Sequence, residues 1–267
     1  MSGSGRWGPM SSASTADAVI LREEEVVGEV PRCELPGWRE RFGVVAGITT
    51  RGALPGRGFD LGLWSDAPVG DVMSCWRAFR KAEAGFGAVV LGHQVHGARV
   101  AWHDRTDGWV QLEGVDGHAT AACGLLLTVT VADCIPVYLV DPRRRAIALL
   151  HAGWRGTAAG ILSHGLELLA ERAGTGPADV VMHAGVGICG PCYEVGSEVM
   201  GGVGLPADGP GPWHVDLRDR LAAQARGLGI GEVTRSAWCS AHDRPRFYSH
   251  RASGGADGRM VAYLGLR

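Results

Sequence analysis

Three residues of the sequence have side chains that suit a metal centre. His96 lies in the stretch HQVHG, Cys134 ends the stretch ADC, and His151 opens the stretch HAGWRG. Each is next to an apolar run typical of a buried strand, and the ends of strands expose side chains while holding them rigidly. A thiolate and two imidazoles can bind zinc tetrahedrally, and three protein ligands leave a fourth position for water or substrate. Zinc held in this way lowers the pKa of its water to about 7.

Two other interpretations of these residues stay open. A buried cysteine usually packs as a small apolar side chain, and a lone histidine beside a strand is usually a hydrogen-bonded core residue. Alternatively, Cys134 acts as a nucleophile with His151 or His96 as its base. The three residues lie far apart in sequence, so their spacing alone does not show that they converge.

Apolar runs predict the strands that would position these residues. The stretch IPVYLVDPRRRAIALLHA predicts two buried strands joined by a charged turn, with Cys134 and His151 at the two ends of the hairpin. Residues 124–141 form a long apolar stretch that is best split into a buried strand and its continuation around Asp133 and Cys134, and residues 88–103 predict a strand, a turn and a strand. Residues 42–52 predict a strand that carries Arg51 at its C-terminal end.

Predicted helices alternate with these strands. Residues 71–87 and 157–174 have apolar side chains at helical spacing, and residues 214–230 contain an aspartate that suits a helix start. Hairpin-like pairs of strands interrupt the alternation, which argues against a pure parallel barrel. The sequence therefore predicts the α/β class, as a single layered αβ sandwich with mixed β-sheets and flanking helices.

Composition limits the classes of function. The chain has 267 residues, 46% of them hydrophobic, and a net charge of −2 with both signs interspersed. We therefore expect a globular protein without a nucleic-acid partner. No apolar run reaches the roughly 20 residues that span a bilayer, and the N-terminus lacks a secretion signal, which predicts a cytoplasmic protein without a membrane partner. We expect a monomer that acts on a small molecule.

The N-terminal residues differ in composition from the rest of the chain. Their first part is rich in Gly, Ser and Ala, a composition that does not support a packed core. We predict a disordered tail over residues 1–35, with a docking role as the less favoured alternative, and a catalytic domain over residues 36–267.

The sequence has seven cysteines, an odd number that argues against a disulfide framework in a cytosolic protein. Cys189 and Cys192 form a C-x-x-C pair, which by itself is compatible with half of a zinc ribbon or with a redox pair. Because no second C-x-x-C follows and the spacer is Gly-Pro, we assign this pair a structural or incidental role.

Six motifs occur in an order that resembles the bacterial laccase-domain family, whose members are also called purine nucleoside phosphorylases or peptidoglycan-editing factors. The motifs are TTRG, HQVHG, ADCIPVYLVDP, HAGWRGT, GPCYEVG and YSHR followed by DGRM. The resemblance covers about residues 38–266, and ADCIPVYLVDP with HAGWRG at this distance is its most specific part.

The resemblance implies a fold, a metal and an activity. The fold would be a layered αβ sandwich with mixed sheets, and His96, Cys134 and His151 would bind a catalytic zinc. Family members are assigned phosphorolysis of adenosine, inosine and S-methyl-5'-thioadenosine, and also adenosine deamination. The alternative is a cysteine hydrolase or amidase that edits a peptidoglycan precursor with Cys134 as nucleophile. A partner-binding scaffold without turnover is the alternative outside the enzymes.

Copper-dependent polyphenol oxidation is a weaker alternative. Multicopper oxidases build their clusters from repeated His-x-His pairs, and none of the ten histidines here are two residues apart. A set of two histidines and one cysteine can hold a single Cu²⁺ ion, so we keep copper only as a minor alternative to zinc.

Further residues are candidates for the pocket. Arg51, which matches the family's arginine, could hold phosphate through a bidentate fork. Asp133 is a candidate for catalytic proton handling, and a turn hydrogen bond is its alternative.

Trp154 could stack on a base or pack in the core. Arg155 could bind phosphate or pair with Asp141. Gln94, also a candidate for substrate binding, could hold a ligand or the backbone.

One departure from the family pattern concerns this pocket. Asp60, in the stretch GFDLG, stands where the family usually has asparagine. If it lies near Arg51, its negative charge would weaken anion binding there, which leaves substrate choice open.

Overall fold

The computed structural model describes residues 18–53 and 58–267. Its strands are β1 (Val19–Leu21), β2 (Glu24–Val26), β3 (Arg32–Glu34), β4 (Val44–Thr49), β5 (Ala88–His93), β6 (Val100–His103), β7 (Gly108–Glu113), β8 (Gly117–Thr120), β9 (Leu125–Val131), β10 (Ile135–Asp141), β11 (Ala146–Ala152), β12 (Val181–Ala184), β13 (Glu194–Val195), β14 (Trp213–His214), β15 (Glu232–Ser236) and β16 (Met260–Leu266). Its helices are α1 (Trp38–Phe42), α2 (Val69–Ala82), α3 (Trp154–Ala158), α4 (Ile161–Ala173), α5 (Ser197–Gly202), α6 (Leu217–Gly227) and α7 (His250–Ser253), with single 3₁₀ turns at Pro177–Asp179 and Gly190–Cys192.

Two sheets of seven strands each form the centre of the fold. The first sheet has the order β1-β15-β12-β10-β11-β8-β6, and the second has the order β2-β3-β4-β16-β9-β5-β7. Both sheets are mixed: β12 is antiparallel to β10 and parallel to β15, while β9 is antiparallel to β16 and parallel to β5. The predicted class and the mixed sheets are therefore confirmed.

The sheets pack face to face, and helices cover their outer faces. Along β10, Tyr138 and Val140 face the second sheet, whereas Val137 and Leu139 pack in the cluster that contains α4 and α6. The outer face of the second sheet packs against α2. Because both faces of the central strands are covered, their sequences read as continuous apolar runs rather than as alternating ones.

Two predicted pairs of strands are present, and the connection within each pair passes from one sheet to the other. The stretch 124–141, predicted to split around Asp133 and Cys134, forms β9 in the second sheet and β10 in the first. Asp133 has a φ of 85°, which extended backbone does not allow, so the strand ends there. The predicted pair over residues 88–103 is likewise divided into β5 in the second sheet and β6 in the first.

Part of the predicted N-terminal tail is folded, so its boundary at residue 35 is too late. Strand β1 pairs with β15 in the first sheet, whereas β2 and β3 pair with each other at the edge of the second sheet. Glu23, between β1 and β2, is buried and accepts a hydrogen bond from Ser236 Oγ at 2.7 Å. Residues 1–17 lie outside the described residues, and no described helix is both long and apolar enough to cross a membrane.

Candidate metal centre

The strand register brings His96, Cys134 and His151 to one place. In the antiparallel β10–β11 pair, Ile135 is opposite Ala152, so Cys134 and His151 lie at the same end. Strands β5 and β9 are parallel neighbours, so both finish at the same end of the second sheet. The connection after β5 carries His96. One nitrogen from each ring and the sulfur lie within 4.8 Å of one another. The predicted convergence is therefore present in the structure.

Asp116 holds the loop of His96 in place. This carboxylate is fully buried between β7 and β8, and it accepts hydrogen bonds from the backbone N–H groups of Val95, His96 and Gly97 at 2.9–3.1 Å. His96 has a φ of 59°, a conformation uncommon for a residue with a Cβ. The three N–H bonds to one carboxylate stabilise this turn and direct the exposed imidazole toward Cys134.

Asp116 also orients His151. The Nδ1 atom of His151 lies 2.9 Å from Asp116 Oδ1, and an ionised carboxylate can only accept, so Nδ1 carries the proton. This leaves Nε2 as the ligand atom, an arrangement that is general for metal-binding histidines. Burial would raise the pKa of Asp116, but the hydrogen bonds from His151 and from the backbone lower it, which keeps the carboxylate charged.

Cys134 and His151 also shift each other's pKa. Burial would raise the pKa of Cys134, but the charge and hydrogen bonds of His151 and His96 lower it to about 6. Burial would lower the pKa of His151, but Cys134 and Asp116 raise it to about 9. Before any metal binds, the protein therefore favours a thiolate beside an imidazolium, and a thiolate is the form of cysteine that binds metals and attacks substrates.

The donor set fits a single metal ion with an open position. One sulfur and two imidazole nitrogens match the three-ligand sets of catalytic zinc sites, and they also suit a single copper ion. Gly153 leaves the space that these ligands occupy, because a Cβ at this position would lie 3.0 Å from Cys134 Sγ and 3.2 Å from the Cδ2 atom of His96.

The triad lies in a cavity of about 530 Å³, a volume within the range of small-molecule sites. Trp154 and Arg155 line the cavity, in agreement with their prediction as pocket residues, and the Arg155 guanidinium lies 4.5 Å from the Trp154 ring centroid. Other parts of the wall are aromatic, cationic or imidazole side chains from distant segments: Trp64, His93, Tyr193, His250, Arg251 and Arg259.

Asp133 and Gln94 also line the cavity, but both side chains are occupied by hydrogen bonds. Asp133 accepts from Ser240 Oγ and from the backbone N–H of Arg251, each at 2.6 Å. Gln94 donates to the Thr130 carbonyl at 2.8 Å and accepts from the Thr130 N–H at 2.7 Å. The backbone contact considered for Gln94 is therefore present. The partners of Asp133 lie 107 and 118 positions away in the chain, so these are tertiary contacts and not the turn hydrogen bond considered for this residue.

Arg51 lies in a different environment from the one predicted. Its guanidinium donates to Asp257 Oδ1 at 3.1 Å and lies over the ring of Tyr248. It is not among the described residues of the cavity wall. The sequence could not reveal this pairing, because Asp257 comes from the connection between α7 and β16, 206 positions along the chain.

Arg155 does not pair with Asp141, which was one of the two alternatives considered for this residue. Asp141 ends β10 at the opposite end from Cys134, and its Oδ1 accepts the backbone N–H groups of Arg143 and Arg144 at 2.9 and 3.0 Å. The Arg155 side chain is exposed at the cavity. It forms no hydrogen bond or ion pair with the residues that the structure describes.

Asp60 acts within the protein at the edge of the cavity. Its buried Oδ1 accepts the backbone N–H groups of Gly62 and Arg259, both at 2.8 Å. These contacts tie the stretch GFDLG to the stretch DGRM. A Cβ at Gly258 would lie 2.4 Å from the Asp60 carboxyl carbon, which explains a residue without a side chain at that position.

Sequence reasoning missed Asp116, which contacts both histidines of the candidate metal centre. Its context, EGVDGH, indicates only a turn, since Asp-Gly is a common turn pair. The signal that could have found it is an acid directly before a buried strand that contains a histidine. The arginines at positions 251 and 259 were also missed, because only the tertiary structure brings their segments to the cavity.

Comparisons with known proteins agree with this geometry. A family model described as multi-copper polyphenol oxidoreductase laccase matches residues 46–267. The purine nucleoside phosphorylase YlmD of Geobacillus stearothermophilus is 34% identical over 260 residues, covering 88% of this chain and 94% of the relative. The adenosine deaminase RL5 of an unknown prokaryotic organism is 32% identical over 249 residues, covering 81% and 92%.

A solved structure shows the same fold. The crystal structure of the Bacillus licheniformis hypothetical protein YfiH superposes with a TM-score of 0.83 at 26% identity, covering 91% of this chain and 99% of the other. Together with the match over residues 46–267, this similarity and the convergent His96, Cys134 and His151 establish that the chain belongs to the multi-copper polyphenol oxidoreductase laccase family.

Proposed function

We propose that this protein is a zinc-dependent purine nucleoside phosphorylase that also deaminates adenosine. The observation that carries the proposal is the set formed by His96, Cys134 and His151 inside a cavity with aromatic and cationic walls. The printed names of two relatives, a purine nucleoside phosphorylase and an adenosine deaminase, support the choice of substrate class.

The cavity wall suits both reactants of phosphorolysis. Trp154 and Tyr193 supply aromatic wall against which a purine base can pack, although an arginine guanidinium lies over each ring, at 4.5 Å from the centroid of Trp154 and 5.1 Å from that of Tyr193. The Arg155 guanidinium forms no hydrogen bond or ion pair with other described residues and can donate two parallel hydrogen bonds to phosphate. Arg251 and Arg259 add positive charge nearby, although each already donates to backbone carbonyls. We therefore assign phosphate binding mainly to Arg155 rather than to Arg51.

In phosphorolysis one bond forms at the anomeric carbon and one bond breaks there. A phosphate oxygen attacks the anomeric carbon of the ribose, the bond from this carbon to the purine nitrogen breaks, and the purine keeps the electron pair. Arg155 positions the phosphate and balances part of its negative charge. The aromatic walls hold the base and exclude water. Since both oxygens of Asp133 accept hydrogen bonds, we assign this residue to positioning Cys134 rather than to proton transfer.

The described residues fit a zinc ion held by His96 Nε2 or Nδ1, Cys134 Sγ and His151 Nε2. Zinc would supply Lewis-acid stabilisation of negative charge at this end of the cavity. Asp116 keeps His151 in the tautomer that this role requires. Copper is the alternative ion for the same ligands.

Metal content and phosphorolysis measured on the same samples test the proposal. The protein is purified without a histidine tag, as wild type, Cys134→Ala and Cys123→Ala. We expect zinc rather than copper in the wild type, and loss of about one ion per chain together with phosphorolysis in Cys134→Ala only. The control substitution removes an exposed cysteine beside the C-terminal residue Arg267. Turnover of inosine by a metal-free wild type would contradict the proposal.

A second substitution tests the role of Arg155. Arg155→Gln removes the positive charge, and we expect the KM for phosphate to rise about tenfold or more, the order of one lost charged hydrogen bond. Arg105→Gln removes an exposed arginine outside the cavity wall and serves as the matched control. An unchanged KM in Arg155→Gln would exclude this residue as the phosphate ligand.

A cysteine hydrolase or amidase is the second candidate, favoured by one specific observation. The lowered pKa of Cys134 and the raised pKa of His151, which is in turn bonded to Asp116, resemble an activated thiolate with an oriented base. A peptidoglycan precursor would be its substrate. Activity that survives a chelator and is abolished by alkylation of Cys134 would favour this candidate over the metal-dependent one.

A further inference from the structure

A second cluster of metal-binding side chains lies outside the catalytic cavity. Cys189 directly precedes the 3₁₀ turn Gly190–Cys192 and Cys192 ends it, whereas Cys239 and His242 lie in the turn after β15. In sequence they form C-x-x-C and C-x-x-H, separated by 46 residues. The three sulfurs and one histidine nitrogen lie within 4.8 Å of one another.

The distances inside this cluster are close to those of a tetrahedral site. Cys189 Sγ lies 3.4 Å from His242 Nδ1, and Cys192 Sγ lies 3.3 Å from His242 Nε2. Ideal tetrahedral zinc with ordinary bond lengths would place sulfur and nitrogen about 3.6 Å apart. Because the two sulfurs contact different nitrogens of the exposed His242 ring, this ring would turn to present one nitrogen to an ion held by the three sulfurs.

Backbone donors surround the sulfur of Cys239. The N–H groups of Cys189 and His242 point to this buried sulfur at 3.3 and 3.4 Å. Such donors partly balance the negative charge of a thiolate. They also show that the two turns fold around one sulfur, with each turn contributing a donor to it.

The neighbouring helix fixes both turns without help from the cluster. Asp216, the N-cap of α6, accepts the Gly190 N–H at 3.3 Å and forms an ion pair of 2.7 Å with Arg218. Arg218 is buried and donates to the Trp238 carbonyl at 2.7 Å. Each turn is thus anchored next to its ligands, so the four side chains are held together before an ion binds.

We propose that Cys189, Cys192, Cys239 and His242 form a second metal site, a structural zinc site with four protein ligands. Three thiolates and one imidazole are a donor set typical of closed structural zinc sites, and soft sulfur ligands disfavour magnesium and calcium. The site would be distinct from the triad around Cys134, because it has no ligand in common with that triad and leaves no open position.

The site would stabilise one wall of the catalytic cavity. Tyr193, which lines the cavity, directly follows Cys192. Ser240, which directly follows Cys239, donates to Asp133 at 2.6 Å, and Asp133 precedes Cys134. An ion that joins the two turns would therefore fix Tyr193 and Asp133 relative to each other. This role is one of positioning and places no second-site ligand in contact with substrate.

Zinc content of the full chain tests the proposal directly. With protein purified without a histidine tag and dialysed against metal-free buffer, we expect about two zinc ions per chain in the wild type and about one in Cys239→Ser or in Cys134→Ser. Cys123→Ser, a substitution of an exposed cysteine, is expected to keep both. If Cys239→Ser holds as much zinc as the wild type, the proposal is overturned.

Two measurements on the wild type test the proposal even if a variant fails to fold. X-ray absorption at the zinc edge is expected to give an average of about two sulfur ligands per zinc for a three-sulfur site plus a one-sulfur site. An average of one sulfur per zinc would overturn the proposal. Titration of denatured, metal-stripped protein should find all seven cysteines as free thiols, whereas five thiols would indicate a disulfide in place of the metal.

Discussion

Among single residues, Asp116 has the largest expected influence on the catalytic metal centre. Its carboxylate accepts hydrogen bonds from His151 and from three consecutive backbone N–H groups around His96. One side chain thus orients two of the three ligands of the proposed zinc ion. A change at this position is expected to act on metal binding more than on folding of the sheets, because Asp116 lies in a connection between strands.

Asp116→Asn is expected to weaken metal binding. The amide keeps the size of the carboxylate but has a single acceptor oxygen and no charge, so it cannot hold both His151 and the loop of His96. Loss of such a partner typically costs about 10–100-fold in metal affinity or activity. Competition with a chelator of known affinity measures the effect. Glu171→Gln, the same change at an exposed carboxylate, should leave the affinity unchanged, and an equal loss in both variants would contradict the prediction.

The thiol of Cys134 is expected to ionise at an unusually low pH in the metal-stripped protein. Because its pKa is lowered to about 6, the reactive thiolate predominates at pH 7 and is lost only below about pH 6. The rate of alkylation by iodoacetamide, measured by mass spectrometry of the peptide, should therefore be nearly constant from pH 9 down to pH 7. A denatured sample, with an ordinary cysteine pKa of about 8.5, provides the reference, and a rate that follows that reference would refute the lowered pKa.

At the scale of elements, the connections between the two sheets carry the chemistry. His96 lies between β5 and β6, and Cys134 lies between β9 and β10; both connections lead from the second sheet to the first. The β10–β11 hairpin returns the chain to the same end and places His151 there. The candidate ligands His96 and Cys134 therefore lie on short segments between buried strands, and His151 lies within β11, which restricts the motion of all three.

Gly153, which directly precedes α3, has little room for an added methyl group. It is the N-cap of α3 with a φ of −77°, which alanine also adopts, so only the contacts with Cys134 and His96 oppose the substitution. Gly153→Ala should shift these ligands by a few tenths of an ångström and lower metal affinity without a comparable loss of stability. Gly196→Ala is a matched control, since Gly196 caps α5 with a similar φ of −85° and has open space around its Cβ position.

Metal affinity and thermal unfolding should be measured on both glycine variants. We expect reduced affinity in Gly153→Ala alone. A Gly153→Ala protein with wild-type metal affinity would show that the loops around the triad adapt more readily than the packing indicates.

In the whole molecule, the segment after residue 17 joins the edges of both sheets. Strand β1 extends the first sheet and β2 extends the second, and Glu23 lies buried between them. Its carboxylate contacts His183 Nε2 at 3.1 Å and Ser236 Oγ at 2.7 Å. This segment therefore belongs to the folded unit, and its contacts contribute to the stability of the sandwich.

Glu23→Ala is expected to destabilise the protein by about 1–3 kcal/mol, because buried His183 and Ser236 lose their acceptor. Urea unfolding measures the change. Glu24→Ala removes an exposed carboxylate from the neighbouring position and should change the free energy of unfolding by less than about 0.5 kcal/mol. Equal stability of the two variants would mean that the segment contributes little to the fold.

The sequence by itself determined the α/β class and the main strands and helices, and the family resemblance indicated His96, Cys134 and His151 as candidate metal ligands. These follow from local patterns: apolar runs predict buried strands such as β10 and β11, and the motifs around Cys134 and His151 are short and specific. The same motif indicated Trp154 and Arg155 as candidates for the pocket, but it did not distinguish a position at the cavity from one in the core; the structure places both at the cavity wall.

Only the tertiary structure decided which residues meet across long distances in sequence. The passage of the chain between sheets at Asp133, the pairing of Arg51 with Asp257, and the approach of Asp116 to both histidines depend on sheet order. So does the meeting of Cys189 and Cys192 with Cys239 and His242. Apolar periodicity records which face of a strand is buried, but it does not record which strand lies beside it, because that choice depends on packing summed over the whole core.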